Sequence, residues 1–218
     1  LQYGGIETSS TSRFGPSQRS ITQSSYGLYV QDSLDLLPNL TLTGALRYDV
    51  TAYDFEDDLF PANNDRKSFN RVTPRAGLTY TPWNAMTAYL NYGEGFRVPT
   101  TDELFTFAGL GSNPNLNPVT SRTYEAGLRL RPLGWLEATG AAFLTDVRDE
   151  IVFLPDPTGA TFGQNQNAPK SRRQGFEVGA TLRPHPRVDV QLNYSYTDAR
   201  YRSQAVLFGG TIDPGDRV

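Results

Sequence analysis

NYGEGFRVPTTDELFTFAGLGSNPNLNPVTSRTYEAGLRLR, running from Asn91 to Arg131, is the stretch whose reading decides the fold. It is entered on a strand in which Ala88, Leu90 and Tyr92 alternate with Tyr89, Asn91 and Gly93. Just after Gly95-Phe96-Arg97, Pro99 closes that strand, because it has no N–H to give to a ladder. A loop of about twenty residues follows, stiffened where Asn113-Pro114 and Asn117-Pro118 fix the backbone. A second strand starts near Ser121 and repeats the alternation. The unit is a β-hairpin with one long, ordered, chemically mixed loop, and the rest of the chain reads as further copies of it.

Upstream, Leu1–Ile6 reads as the tail of a strand and Glu7 to Thr22 as a Ser/Thr/Gly/Pro loop. From Tyr26 the period is two, and it is clearest after the Leu36-Leu37-Pro38-Asn39 turn. There Leu40, Leu42, Leu46, Tyr48 and Val50 share one face, while Thr41, Thr43, Arg47, Asp49 and Thr51 share the other. Such alternation marks a long half-buried strand, not a helix. Residues 54–70 read as an acidic loop, followed by the alternation of Val72 to Tyr80 and a turn at Pro82-Trp83-Asn84. Downstream of the opening hairpin come a turn at Arg131-Pro132-Leu133-Gly134 and a weakly alternating strand from Leu136 to Val152. Strands on either side of Pro184-His185-Pro186 complete the series, after a loop rich in Pro, Gly, Asn and Gln.

The tight turns carry Pro38, Pro82, Pro132 and Pro184, spaced by 44, 50 and 52 residues, with long connections between them. Soluble sandwiches have strands of about 5–6 residues and no such two-ended asymmetry. Transmembrane barrels have longer tilted strands, short periplasmic turns and long external loops. Charge gives the orientation: Arg47, Asp49, Arg75, Arg129, Glu177 and Arg183 all fall opposite the aliphatic face. An Arg on the lipid side at the midplane costs roughly 2–4 kcal/mol, so the aliphatic face points outward and the charged one into the lumen. Tyr48, Tyr80, Trp83, Tyr92, Tyr124, Trp135 and Tyr194 then supply interfacial girdles. The expected architecture is all-β, an antiparallel transmembrane β-barrel fragment of about nine long strands with short periplasmic turns. Loops 54–70, 98–120, 154–170 and 202–217 lie outside.

Composition agrees. The 218 residues carry a formal charge of −3 and no cysteine, so neither a nucleic-acid partner nor a disulfide or thiolate site is indicated. A mean hydropathy of −0.47 does not argue against a membrane, because half of each barrel strand faces a polar interior. Leu1 in place of Met, and the loop-like Asp213-Pro214-Gly215-Asp216 near the other end, suggest that the chain is a piece of a longer protein.

Gly95-Phe96-Arg97-Val98-Pro99-Thr100, Glu103-Leu104-Phe105 and Asn113-Pro114-Asn115-Leu116-Asn117-Pro118, with Ser121 and Tyr124-Glu125-Ala126-Gly127 after them, resemble TonB-dependent outer-membrane receptors. Tyr29-Val30-Gln31-Asp32, Gly44-Ala45-Leu46-Arg47-Tyr48-Asp49 and Arg172-Arg173-Gln174-Gly175-Phe176-Glu177 continue the resemblance in the family's order. One departure is Asn117-Pro118-Val119, where the family usually has Lys-Pro-Glu and so one more loop carboxylate. The resemblance implies a 22-stranded barrel of the bacterial outer membrane, with residues 1–218 a partial barrel domain from which the N-terminal plug and the closing strands are absent. It further implies import of a scarce ligand, an iron chelate such as a ferric siderophore, with energy from the TonB complex. The partners expected are thus outer-membrane lipid, the protein's own plug, TonB and the chelate; no resident cofactor and no metal site is called for.

On this reading Arg97, Asp102, Glu103, Phe105 and Phe107 are candidate ligand contacts, a mixture suited to a large ligand with polar and apolar faces. The alternative for the loop aromatics is that they pack the loop onto its neighbours. Arg47, Arg75, Arg97, Glu125, Arg129 and Glu177 have lumenal parity and are candidates for contact with the plug. For Arg97 and Glu125 the alternative is a charge pair that fixes the hairpin. Asp54, Glu56, Asp57 and Asp58 lack the spaced ligands and bracketing Gly of a calcium loop, and read as a solvated acidic loop. His185 sits alone between two prolines in a tight turn. No nucleophile–base–orienter set is present, which argues against an enzyme. A passive porin-like or small barrel without a plug is the competing function, and an adhesin a third.

Overall fold

The computed structural model describes residues 8–12, 15–105, 113–156, 158–160, 162–207 and 210–218. The strands are β1 (Thr8–Ser12), β2 (Gly15–Leu37), β3 (Leu40–Asp57), β4 (Asp65–Trp83), β5 (Met86–Arg97), β6 (Val119–Leu133), β7 (Leu136–Arg148), β8 (Ile151–Leu154), β9 (Gln164–Asn167), β10 (Ser171–His185), β11 (Val188–Tyr201), β12 (Ala205–Leu207) and β13 (Gly210–Ile212). A single helical turn, α1 (Thr101–Phe105), and a 3-10 turn at Pro61–Asn63 are the helical elements among the described residues. Nine strands form one antiparallel sheet in the order β1-β2-β3-β4-β5-β6-β7-β10-β11, while β8-β9 and β12-β13 are separate two-stranded hairpins.

The registers turn the period-two alternation into two continuous faces. One rung runs Leu34, Leu42, Leu78, Leu90, Ala126, Ala142, Phe176, Tyr196 across eight strands. The adjacent rung runs Ser33, Thr43, Gly77, Asn91, Glu125, Phe143, Gly175, Thr197. A slip of one residue in any pair would exchange the two sets, and the cost of charge against lipid and leucine in the polar lumen holds the register. The outward side chains are exposed on the isolated chain, Leu28, Leu90 and Leu192 at 76, 57 and 58%. That exposure suits lipid as the solvent and would be untenable in water.

At the tight-turn end, the ladders shift register between Tyr80 and Trp83, Leu130 and Leu133, and Leu182 and His185. Pro82, Pro132 and Pro184 occupy these irregular places, where a missing N–H costs no rung. The lowest outward rung moves from Leu40–Tyr80 to Met86–Leu130 and then to Leu136–Leu182–Val190. An apolar band that slants against the hydrogen-bonded rungs is what strands tilted in a membrane require.

Three loop boundaries differ from the sequence reading. Much of 7–22 is strand: β1 and β2 form a hairpin, and β2 pairs Arg19 with Asp57 and Thr22 with Asp54. The supposed loop 54–70 is largely ladder too, since Asp54 pairs with Arg66 and Phe55 with Asp65. Strand propensity of Ser and Thr is modest, and what holds these polar segments is pairing with a partner strand that continues past the membrane. β7 ends at Arg148, and Asp149 turns the chain at φ 58° into the separate β8. Leu1–Ile6 lies outside the described residues.

Candidate functional site

Two regions bring together the residues that the sequence marks. The first is the lumenal face of β4–β11, where Tyr89, Asn91, Glu125, Arg129, Glu177 and Asn193 line a recess of about 760 Å³. Tyr89 stands opposite Gly127, and its ring occupies the space that a Cβ there would need. Glycine at 127 therefore leaves room for the phenol to lie across the sheet, where it hydrogen-bonds Glu125 and lies within the electrostatic reach of Glu177, which faces Ala141 on the same rung. Arg129 reaches Glu137 at 3.5 Å, and Arg131 holds the same carboxylate at 2.7 Å. For Glu125 and Glu177 there is no ion pair among the described residues. Arg75 lines a neighbouring recess of about 600 Å³ with Asn91 and Glu125. Arg47 is engaged within its own strand, donating two hydrogen bonds of 2.7 and 2.6 Å to Asp49.

The second region is the long-loop end. Arg97 does not meet Glu125: it pairs across β5–β6 with Val119, while Glu125 faces Asn91 six positions away. Instead Arg97 grips Glu103 through both guanidinium nitrogens, at 2.9 and 3.2 Å. Glu103 also accepts the Thr100 N–H at 2.7 Å, and its own N–H is directed to the Thr100 hydroxyl at 3.3 Å. This reciprocal capping box starts α1 directly after Pro99. Burial opposes ionisation of Glu103, but Arg97 and the Thr100 N–H outweigh it and hold the carboxyl below the ordinary range. Asp102 is exposed on α1.

The apolar side of α1 is buried. Leu104 is 1% exposed and Phe105 8%. The Phe105 ring stacks on Phe55 at 5.1 Å with planes 6° apart, and Tyr53 meets it edge-on. With Tyr53, Phe55 and Leu116 they form the largest buried apolar cluster of the described residues, joined by Ile21, Phe69, Val98 and Ile151. Phe105 is thus placed against neighbouring strands; Phe107 lies outside the described residues. On the far side, the Asn167 amide pairs with the backbone of Asn117, accepting its N–H at 2.8 Å and donating to its carbonyl at 3.0 Å. Asn113 donates to the Asn165 carbonyl at 2.9 Å. The α1 loop is therefore fastened to β3 on one flank and to β9 on the other.

The acidic tip is a structural lock around Asp57, which is 1% exposed. Arg19 reaches it at 3.0 Å, as do the N–H groups of Leu59 and Phe60 at 3.1 and 3.0 Å. Burial works against its charge, and the Phe60 N–H, Asn63 and Arg19 together overcome that and lower its pKa. No grouping of His, Asp or Glu suited to a metal ion occurs among the described residues. Sequence reasoning missed Tyr53, Phe55, Asn113 and Asn167 as loop anchors. The one available signal was that Tyr53 and Phe55 continue the inward parity of Thr51 beyond the membrane band.

A family profile described as "TonB dependent receptor-like, beta-barrel" matches residues 2–218. The "Ferrichrome outer membrane transporter/phage receptor" of Escherichia coli K12 is 28% identical over 199 residues, covering 90% of this chain and 25% of that protein. The "Ferrioxamine B receptor" of Salmonella typhimurium is 29% identical over 182 residues, covering 82% and 24%. This chain spans about a quarter of the length of these relatives. Among solved structures, a copper transporter superposes with a TM-score of 0.71 at 18% identity, covering 86% of this chain and 30% of its own. A ferric-catecholate import receptor of E. coli K12 gives 0.67 at 20%, covering 89% and 30%, and these two likenesses concern the fold.

Proposed function

This chain belongs to the TonB-dependent receptor β-barrel family, a family of outer-membrane receptors and not of enzymes, and on that premise we propose that it is part of an active importer of a ferric siderophore. It resides in the bacterial outer membrane. The observation that carries the ligand class is similarity over 82–90% of the chain to proteins named for ferrichrome and ferrioxamine B. In this reading residues 1–218 are a portion of the barrel, and the plug and closing strands come from the rest of the protein. Glu125, hydrogen-bonded by Tyr89, and Glu177 line one polar recess, and two carboxylates so placed suit cationic groups of a plug. Arg75 and Arg129 frame the same surface, Arg47 stays tied to Asp49, and Arg97 serves the loop above. Family membership speaks against a passive porin-like barrel.

The α1 loop is the proposed ligand-facing unit. Fastened on both flanks, it offers exposed Asp102 and the half-exposed Arg97, and Phe107 carries the proposed aromatic contact. Phe105 supports the loop from beneath. The test is uptake of ⁵⁵Fe-loaded ferrichrome and ferrioxamine B by iron-starved cells that carry the full-length receptor, with and without functional TonB. TonB-dependent accumulation of either chelate is expected; accumulation that persists without TonB would fit a passive pore and overturn the reading.

A further inference from the structure

The registers align five charged residues on the outward face. Glu94 stands opposite Arg122, Arg122 opposite Asp146, Asp146 opposite Arg172, and Arg172 opposite Arg200. On β5–β7 this rung lies just above Tyr92, Tyr124 and Leu144, where the apolar band ends. Arg122 reaches Glu94 at 3.0 Å, and Arg172 holds Asp146 with bonds of 2.7 and 3.0 Å. Arg71 reaches Glu94 too, at 3.2 Å. Two residues further along β7 on the same face, Arg148 is exposed and makes no salt bridge among the described residues, and both it and Lys170 add positive potential at Asp146. Cations therefore outnumber carboxylates around Asp146.

Directly below this rim is a groove of about 580 Å³ lined by Leu78, Leu90, Tyr124, Ala126, Ala142 and Leu144. It exists because Ala126 and Ala142 are neighbours on one rung, between Leu90 and Phe176. Its walls are almost wholly apolar, and it faces the hydrocarbon. A cationic rim above an apolar trough matches an amphiphile with an anionic head and an acyl chain. In an outer membrane, the long-loop end of the barrel meets the outer leaflet, whose lipids present phosphates at that depth.

We propose that the outward face of β5–β10 is a specific seat for one phosphorylated lipid of the outer leaflet. An acyl chain lies in the Ala126–Ala142 groove, and a phosphate is held by Arg148 and Arg172 with Arg122 beside them. Juxtamembrane cations attract anionic headgroups, and arginine forks suit phosphate oxygens. The carboxylates Glu94 and Asp146 keep the arginines extended along the rung, so the lipid meets an ordered array.

The test uses full-length receptor purified in neutral detergent and exposed to bis-phosphorylated lipid A or its dephosphorylated counterpart, with retained lipid counted by native mass spectrometry. The phosphorylated form should be retained preferentially by the wild type. Arg148→Gln and Arg172→Gln should each lower that preference about fivefold. Ala142→Phe, which fills the groove and leaves the rim intact, should lower retention of both lipids. Arg148→Gln breaks no ion pair among the described residues, so it decides the matter even if Arg172→Gln disturbs folding. Equal retention of the two lipids by the wild type, or a preference unchanged in Arg148→Gln, would overturn the proposal and leave only annular lipid. Siderophore uptake does not enter this readout, so the transport reading and the lipid seat can fail separately.

Discussion

The Tyr53 hydroxyl donates a 2.8 Å hydrogen bond to the carbonyl oxygen of Pro99, a residue 46 positions further along the chain. Both groups are buried, and the bond pins the point where β5 leaves the sheet to the extended end of β3. An external loop of this length would ordinarily be mobile. Here it is fastened by that bond, by the Phe55–Phe105 stack, by the Arg97–Glu103 fork and by the Asn117–Asn167 pair.

Tyr53→Phe keeps the ring packing and leaves the Pro99 carbonyl without its donor. A loss of about 1 kcal/mol is expected, confined to loop 98–118. Amide hydrogen exchange in the intact receptor should rise there and stay unchanged in β6 and β7. A uniform rise over the barrel would contradict the local role.

Phe105→Ala removes a ring stacked against Phe55 and leaves a cavity. It should cost about 3–5 kcal/mol of local stability and open the loop to protease. Phe107→Ala should lower chelate affinity and leave loop protection intact. If Phe105→Ala remained as protease-resistant as the wild type, the brace assigned to it would be wrong.

Glu103 has a folded pKa below the ordinary carboxylate value of about 4.3, so its contribution is fully present above that pH. The contribution disappears as pH falls through the lowered folded value, since protonation releases Arg97 and the Thr100 N–H. Proteolysis of the loop, followed with an acid-active protease from pH 6 down to pH 3, should accelerate at the acid end. Glu103→Gln should cleave fast throughout and show a flatter profile. Identical profiles for the two proteins would remove Glu103 from the lock.

Leu42 and Thr43 are neighbours in β3 on opposite faces, Leu42 opposite Leu78 outward and Thr43 hydrogen-bonded to Ser33 inward at 3.0 Å. Leu42→Arg should cost roughly 2–4 kcal/mol in a bilayer folding titration, and Thr43→Arg far less. Equal losses would contradict the assignment of faces.

Gly175 and Gly44 make a second contrast. A Cβ at Gly175 would collide with the backbone carbonyl of Tyr196, whereas at Gly44 there is open space. Gly175→Ala should destabilise by about 1–3 kcal/mol because the β10–β11 ladder must shift. Gly44→Ala should be neutral or slightly stabilising. The same titration distinguishes them.

The period-two alternation and the two faces it makes were legible from residue order. Successive side chains on a strand point to opposite sides whatever the rest of the chain does, and the cost of charge in lipid assigns the sides. The asymmetry of connections and the family motifs were likewise local features. What residue order could not supply was distance between segments far apart in the chain. Arg97 could pair with Glu125 or Glu103 by charge alone, and only the β5–β6 register separates the first pair and leaves the second in reach. Phe105 reads equally as a ligand contact or a support until Phe55, fifty residues upstream, is seen beneath it. The polar segments around Arg19 and Asp57 resembled loops because their strand character comes from pairing with each other, not from their own pattern. The charged rung from Glu94 to Arg200 is the sum of four registers. Alternation is a property of one strand, and alignment between strands is a property of the folded sheet.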